Sequence, residues 1–362
     1  MRKGEILKMK KFLTLALVGL LSLSLVACGG SNDGGNTEEP NKDACAFKIG
    51  LVTDTGGIDD KSFNQSSWEG LTRYAEENNM TDCISYLQSG SEADYIPNLS
   101  QFADEGYDLV MAVGFLFSDA MREVSVKYPE THFLLVDEVV EGDNVTSAVF
   151  SAEQGSFLVG VAAGLTAKEN GSNAVGFMGG MEGPIIGAFQ AGFEQGVLAV
   201  NPEATIYVDY ADSFDDDSKG QNLAAKQYGA GATVVFQAAG ACGNGVIKEA
   251  KERGDVWAVG VDRDQYLEGV AEEGGKSIIL TSMLKRVDMA TYTTAKNLVE
   301  GTLEAGTMLF DMSNDGVGAE LTADRNLSAE TIATVEEYAA KIKNGEITVD
   351  PTPAIKNGGS NK

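Results

Sequence analysis

The chain has 362 residues, of which 43% are hydrophobic, and its formal net charge is −27. A chain this acidic has no cationic surface with which to displace the counterions of DNA or RNA, so nucleic-acid binding is excluded. The length suits two domains, and the hydrophobic content is sufficient for two cores.

The N-terminus has the features of a bacterial lipoprotein signal in the required order. Five basic residues lie among the first 11, and an apolar run follows from Phe12 to Val26 that is too short for a typical membrane span. The run ends in Leu-Val-Ala-Cys28, which resembles the lipobox, where the cysteine is acylated and the chain is cut before it. We therefore predict a signal peptide over 1–27 and a lipid anchor at Cys28. An uncleaved signal anchor with a chance cysteine is the alternative.

This anchor would hold the protein on the extracytoplasmic face of the cell membrane. Residues 1–27 carry five basic residues and one acidic residue, so their removal brings the charge to about −31. Attachment through a basic surface is therefore excluded, whereas a multiply acylated cysteine anchors stably. Residues 28–44 are rich in Gly, Asn and acids, and we interpret them as a flexible tether.

From residue 47 onward, short apolar runs alternate with amphipathic helical segments. In one such segment Trp68, Leu71, Tyr74 and Ala75 share a face. This alternation predicts an α/β fold of two doubly wound, Rossmann-like parallel sheets. The predicted strands are Ile49–Thr53, Ile84–Leu87, Leu109–Val113, Phe133–Val136, Ala174–Met178, Thr205–Val208, Thr233–Phe236, Val256–Val261 and Ser277–Ser282.

The loops that follow these strands hold most of the unusual residues. In open parallel sheets, ligands bind at the carboxyl ends of strands, so two facing sheets would enclose a ligand in a cleft. Asp262 and Lys285 are among these loop residues. Both can line the same cleft only if the chain passes several times through a hinge between the two domains. We therefore predict a multi-crossing hinge between an N-terminal domain and a C-terminal domain. The first comprises 45–149 and 262–307, the second 150–261 and 308–350, and a tail covers 351–362.

The densest motif is the segment 50–65, GLVTDTGGIDDKSFNQ, a strand followed by a Gly turn and a helix start. Asp59 or Asp60 here has a simple interpretation as a helix cap. Phe63 and Asn64 together offer a stacking face and a bidentate hydrogen-bonding edge.

Other motifs give no sign of a metal, a cofactor or catalysis. The acidic run 215–220 lacks the acid twelve positions along that a calcium loop requires, and instead suits a helix N-terminus. The glycine-rich segment 240–245 lacks the Lys-Ser/Thr ending of a P-loop. His132 precedes an apolar strand and is interpreted as structural.

Many segments in order resemble the basic membrane protein family of bacterial lipoproteins, also called purine nucleoside receptor lipoproteins. They include GLVTDTGGIDDKSFNQSSWEGL, VGFLFSDA, FLVGVAAGL, VGFMGGMEGPIIGAFQAGFEQG, DSFDDDSKG, FQAAGACGNGV, VGVDRDQY and LTSMLKRVD. The resemblance covers Lys48 to about Leu321. It implies a type I periplasmic-binding-protein fold that binds a nucleoside and serves an ATP-driven (ABC) importer through its permease subunits.

The resemblance also implies a role for each site residue. Phe63 and Phe236 would stack on the two faces of the base, with Phe189 as a rival to Phe236. Asn64 and Asp137 would recognise the base edge, and Asp262 and Lys285 would bind the ribose. Gly240 would allow close backbone approach, and Asp54 would order the first loop. For Asp262 and Lys285 a simple interdomain salt bridge is the alternative.

Two other functions stay open. The segment 54–60 superficially resembles the calcium-binding motif of nucleoside hydrolases, but Val52 replaces the leading Asp, the Pro is absent and one residue is inserted. The third hypothesis keeps the fold with another small ligand as a signalling receptor. We expect a monomeric binding protein that is not an enzyme and has no cofactor.

Finally, we predict a disulfide between Cys45 and Cys83. Each lies just before a predicted strand, and in a 2-1-3 sheet these strands are parallel neighbours. Adjacent strands lie ~4.8 Å apart, within the range that a disulfide bridges. Cys242 would remain a free thiol near the cleft. The alternative is that all three cysteines are reduced.

Overall fold

The computed structural model describes residues 45–272 and 275–362. Within these residues the chain forms two six-stranded sheets with helices on both faces, as the sequence predicted. None of the described helices is long and apolar enough to cross a membrane. The predicted signal peptide, Cys28 and the tether lie outside the described residues.

The first sheet has the order β11-β5-β4-β3-β1-β2, and all of its strands are parallel. We call this sheet and its helices the first lobe. Its strands are β1 (Ile49–Thr53), β2 (Ile84–Gln88), β3 (Leu109–Val113), β4 (His132–Val136), β5 (Val145–Phe150) and β11 (Gly306–Phe310). Its helices are α1 (Phe63–Glu77), α2 (Tyr95–Asp104), α3 (Ser118–Lys127) and α8 (Val287–Val299).

The second sheet has the order β12-β10-β9-β8-β6-β7, with β12 antiparallel to β10. We call this sheet and its helices the second lobe. Its strands are β6 (Ala174–Gly179), β7 (Thr205–Tyr210), β8 (Val234–Ala238), β9 (Trp257–Asp262), β10 (Ile279–Lys285) and β12 (Val317–Ala319). Its helices are α4 (Ala152–Glu169), α5 (Pro184–Val200), α6 (Asp217–Gly229), α7 (Gly243–Arg253) and α9 (Ala329–Lys343).

The central strands are buried on both faces. Every residue of β3 and β8 is buried, because helices cover the two sides of each sheet and leave no solvated face. Apolar side chains of each sheet therefore form one core per face, which explains the continuous Val, Ile and Leu runs in the sequence.

Within the described residues the chain crosses between the lobes three times, after β5, after β10 and after β11. The predicted placement of 262–307 in the N-terminal domain is wrong for its first part. β10 pairs with β9 in the second lobe, with Met283 opposite Val261. The chain returns to the first lobe only with α8, which packs so closely on α1 that a Cβ at Gly70 would lie 2.1 Å from the Asp288 carbonyl oxygen. β11 then ends at residue 310, slightly beyond the predicted boundary.

The predicted tail, 351–362, packs along the outer edge of the second sheet. The N–H of Val208 in β7 donates to the carbonyl of Gly359 at 3.0 Å, and Gly358 donates back at 2.9 Å. The tail therefore covers backbone groups that an edge strand would otherwise expose to pairing with other chains.

Cys45 and Cys83 form a disulfide with a Cα–Cα distance of 5.6 Å. They precede β1 and β2, which pair in parallel with Ile49 opposite Ile84. Cys242 is a free cysteine buried in the core of the second lobe.

Candidate functional site

A cavity of about 540 Å³ lies between the carboxyl ends of strands from both sheets. Seven of the eight predicted ligand-binding residues line it: Asp54, Phe63, Asn64, Asp137, Gly240, Asp262 and Lys285.

Phe236 does not line the cavity, so its predicted role as the second stacking ring is wrong. It is fully buried in the middle of β8, with ring centroids 5.6 Å from Phe177 and 5.4 Å from Phe193. The side-chain alternation of the strand turns this ring into the core. The rival, Phe189, lines the cavity.

Two further rings, Phe115 and Phe214, line the cavity and were not predicted as ligand contacts. Their centroids lie 6.1 Å apart in an edge-to-face arrangement, one ring from each lobe. Both follow the carboxyl end of a strand, which is the signal that sequence reasoning could have used. Gly180 is required beside Phe214, because a Cβ there would lie 2.2 Å from the ring.

The loop before α1 is organised by Asp60. This buried carboxylate accepts backbone hydrogen bonds from Ser62 at 2.9 Å, Asn64 at 2.8 Å and Gln65 at 3.0 Å. It therefore satisfies the free N–H groups at the start of the helix, the capping role considered for Asp59 or Asp60. Burial raises the pKa of Asp60 to about 6 despite these hydrogen bonds.

Two carboxylates fix the side-chain amide of Asn64. Its Nδ2 donates to Asp54 Oδ1 at 2.8 Å and to Asp60 Oδ2 at 3.0 Å, while its buried Oδ1 has no partner among the described residues. Asp54 Oδ1 also accepts from the Gly56 N–H at 2.9 Å and so orders the first loop. Burial raises the pKa of Asp54 to about 6.

Lys285 pairs with Asp137 rather than forming the salt bridge with Asp262 considered above. Its Nζ lies 2.6 Å from Asp137 Oδ2 and 4.6 Å from the centroid of the Phe63 ring. Asp262 instead accepts a hydrogen bond from the Ser62 hydroxyl. Burial raises the pKa of Asp262 to about 6, although the Lys285 charge opposes the shift.

Asp137 and Asp262 occupy corresponding places in the two lobes, at the carboxyl ends of β4 and β9. Both have left-handed backbones, with φ of 76° and 67°. Asp tolerates this conformation better than most residues, and non-glycine residues held there cluster at functional sites.

The cavity is rich in hydrogen-bond acceptors. Among the described lining residues, four carboxylates (Asp54, Asp60, Asp137 and Asp262) face a single ammonium group, Lys285. One oxygen each of Asp54, Asp137 and Asp262 accepts no hydrogen bond from the described part of the chain. A neutral ligand with several N–H and O–H donors fits this arrangement, whereas an anion does not.

The described residues contain no cluster of His, Cys, Asp and Glu side chains suited to a metal ion. In particular, Asp60 is the last acid of the calcium-like motif, and both of its oxygens accept hydrogen bonds from nitrogen. The arrangement therefore gives no support to the calcium site that a nucleoside hydrolase requires.

Two bacterial proteins are similar to this chain over nearly the whole of both lengths. A Listeria innocua protein named CD4+ T-cell-stimulating antigen is 44% identical over 360 residues, 95% of this chain and 99% of its own. A Lactococcus lactis protein named ABC transporter nucleoside-binding protein BmpA is 35% identical over 354 residues, 94% of this chain and 99% of its own.

Among solved structures, a solute-binding protein of an ABC transporter system from Aeropyrum pernix superposes with a TM-score of 0.72 and 27% identity. The match covers 83% of this chain and 92% of that protein. Residues 47–352 match the family described as ABC transporter substrate-binding protein, PnrA-like. The chain belongs to this family of ABC transporter substrate-binding proteins, which includes proteins named basic membrane proteins.

Proposed function

We propose that this protein captures a nucleoside, preferentially a purine nucleoside, in the cavity between its lobes and delivers it to the permease of an ABC importer. The observation that carries this proposal is a cavity with aromatic walls whose free polar atoms are mostly acceptors. A nucleoside is the matching neutral ligand, because it combines a flat base with hydroxyl and N–H donors. The nucleoside-binding name of the Lactococcus relative supports the same ligand class.

The aromatic walls would hold the base. Phe63 comes from the first lobe, and Phe189 and Phe214 come from the second. Each base–aromatic stack contributes about 1–3 kcal/mol. Two rings on opposite faces of a base therefore supply a large share of the roughly 8 kcal/mol that micromolar binding requires.

The polar residues would orient the ligand. Asp262 and Lys285 hold the ribose, because a buried carboxylate accepts strong hydrogen bonds from two hydroxyls and the lysine supplies the opposite charge. Asn64 and Asp137 read the base edge, and Gly240 lets the backbone approach. Asp54 keeps Asn64 in position.

We further propose that the protein works on the extracytoplasmic face of the cell membrane, held by lipid at Cys28. Supporting this, the lipobox-like sequence precedes a polar segment that separates the cysteine from the first described residues. The family consists of ABC transporter substrate-binding proteins, and a binding protein that feeds an importer has to meet its solute outside the permease.

Titration calorimetry with guanosine, inosine, adenosine and cytidine tests the ligand class. We expect micromolar or tighter binding of at least one purine nucleoside, with far weaker binding of free bases that lack the ribose. Phe63→Ala should weaken binding by about 1–3 kcal/mol, whereas Phe47→Ala, at the half-buried start of the first lobe, should not. Equal affinity for free bases contradicts the role of Asp262, and release of free base from inosine contradicts a pure binding function.

A further inference from the structure

The segment 60–62, immediately before α1, is held by side chains of the opposite lobe. Asn244 Nδ2 donates to the carbonyl of Asp60 at 3.1 Å. Gln265 Nε2 donates to the carbonyl of Lys61 at 2.9 Å. Two consecutive peptide groups of the first lobe therefore accept hydrogen bonds from two separate elements of the second.

Two further contacts join the lobes, one from Ser62 in this segment and one from the helix that follows it. The Ser62 hydroxyl donates to the Asp262 carboxylate, and Arg263 Nη2 lies 3.1 Å from Glu69 Oε1. The arginine pair is partly exposed and contributes little, because solvent screens exposed ion pairs. The hydrogen bonds to the segment 60–62 are more buried and form the main polar contact at this place.

Gln265 is held in position by its own lobe. Its Oε1 accepts from the Val261 N–H and from Gln237 Nε2, both at 2.9 Å, and its backbone N–H donates to Ser282 Oγ at 3.1 Å. The side chain is almost fully buried. Its Nε2 is thus presented to the first lobe without needing the ligand to orient it.

The segment that Gln265 contacts is equally well fixed in the first lobe. The Asp60 carboxylate binds it to the start of α1, and Lys61 has a left-handed backbone with φ of 62°. Such a conformation costs free energy and persists only when the surroundings hold it. Because Phe63 and Asn64 come next in the chain, closing the lobes on this segment also completes the walls of the cavity.

We propose that Gln265 is a positioning residue that holds the two lobes closed over the ligand, through its hydrogen bond to Lys61 and with Asn244 as support. The proposal rests on the proposed function only for the identity of the ligand. A ligand between the lobes escapes only after these hydrogen bonds break, whereas it enters before they form. Gln265 therefore controls the dissociation rate and has little influence on the association rate.

Gln265→Glu is the most informative variant. The introduced carboxylate keeps the oxygen that accepts from Val261 and Gln237, but it places a second oxygen opposite the Lys61 carbonyl. At pH 8 we expect guanosine to dissociate at least about tenfold faster in stopped-flow measurements, with the association rate within about twofold of wild type.

Protonation of the introduced carboxylate restores an O–H donor to the Lys61 carbonyl. The ratio of the variant's dissociation rate to that of wild type should therefore approach one at pH 5.5. Asp60 and Asp262 titrate in both proteins, so their effect on the dissociation rate cancels when the ratio is taken at each pH. A purely structural role for residue 265 would not produce this recovery.

Gln195→Glu is the matched control. Gln195 Nε2 donates to the carbonyl of Asp350 at 2.7 Å and its Oε1 accepts from the same residue at 3.1 Å, entirely within the second lobe. Its guanosine dissociation rate should match wild type. Asn244→Ala, at a half-buried position, serves as a second variant and should also accelerate dissociation.

The proposal is overturned if Gln265→Glu dissociates within about twofold of wild type at pH 8, or if Gln195→Glu shows the same acceleration. If wild type binds no nucleoside, the proposed function fails, and small-angle scattering of the ligand-free proteins then decides this inference. Open and closed lobes interconvert in the ligand-free protein, so a larger radius of gyration for Gln265→Glu than for wild type at pH 8, with equal radii at pH 5.5, supports the inference, and equal radii at pH 8 overturn it.

Discussion

At the scale of single residues, the orientation of the Asn64 amide restricts the ligand. Its Nδ2 faces Asp54 and Asp60, which accept hydrogen bonds when ionised and cannot donate them. If Asn64 reads the base edge as proposed, its free Oδ1 needs a hydrogen-bond donor on the base.

Purine riboside tests this requirement, because its base carries no hydrogen-bond donor. We expect it to bind at least about fivefold more weakly than the better of inosine and adenosine, since an unsatisfied buried acceptor costs about 1–3 kcal/mol. Calorimetry measures the difference. Asn64→Ala should reduce this discrimination, and equal binding of all three nucleosides to wild type would contradict the assignment.

The buried acids give the protein a definite pH dependence. Burial raises the pKa of Asp262 from 3.8 to about 6 in the folded protein. The folded state therefore binds this proton more tightly than the unfolded state does. The resulting stabilisation is fully present below pH 3.8 and is lost as the pH rises through about 6.

Asp262→Asn should consequently increase the stability of the ligand-free protein at pH 7.5 while weakening nucleoside binding. The amide keeps an oxygen for the Ser62 hydroxyl but removes a buried charge. We expect a gain of about 1–3 kcal/mol that shrinks as the pH falls below about 6 and disappears below pH 3.8, measured by denaturant unfolding. Asp143→Asn, at an exposed site, is the control. No gain at pH 7.5 would contradict the burial of an ionised Asp262.

At the scale of elements, alternation of strand and helix was sufficient to predict nine strands and the edge at which the site forms. The stacking role that the family resemblance implied for Phe236 was wrong. A ring inside an apolar strand faces the core or a ligand depending on side-chain alternation and on where the strand ends, and β8 continues to Ala238. Phe214 lies in a loop, where sequence periodicity gives no direction.

The disulfide before β1 and β2 should stabilise the first lobe without affecting binding. It lies at the amino ends of these strands, whereas the cavity lies at the carboxyl ends. Removing it should lower the free energy of unfolding by about 2–4 kcal/mol. Cys45→Ala and the double variant with Cys83→Ala should lose the same amount, because either breaks the same bond.

Peptide mapping without reduction provides a direct check of this disulfide. A linked peptide pair containing Cys45 and Cys83 is the expected product, with Cys242 alkylated only after denaturation because it is buried. Quantitative alkylation of all three cysteines in denatured, unreduced protein would contradict the bond.

At the scale of the whole molecule, two sheets and a repeatedly crossed hinge were predictable, but the strand order near the hinge was not. β10 is an apolar strand that either sheet could bury, and its hydrophobic pattern does not identify its neighbour. The structure pairs β10 with β9, so both strands lie in the second lobe. The chain therefore crosses from the second lobe to the first at Arg286, at the start of α8. Arg286 directly follows Lys285, which lines the cavity.

The last prediction concerns how the whole protein is attached to the cell. Under the proposed cleavage before Cys28, the mature chain has a charge near −31 and is repelled by anionic lipid surfaces, so the proposed membrane attachment depends on covalent lipid with more than one acyl chain. In cells, the wild-type protein should incorporate labelled palmitate and lack residues 1–27, and intact-mass measurement should find its lipid on Cys28. Cys28→Ser should incorporate none, whereas Cys45→Ser, which removes only the disulfide, should be labelled normally. A wild-type chain that keeps Met1 and carries no lipid would instead support the uncleaved signal anchor.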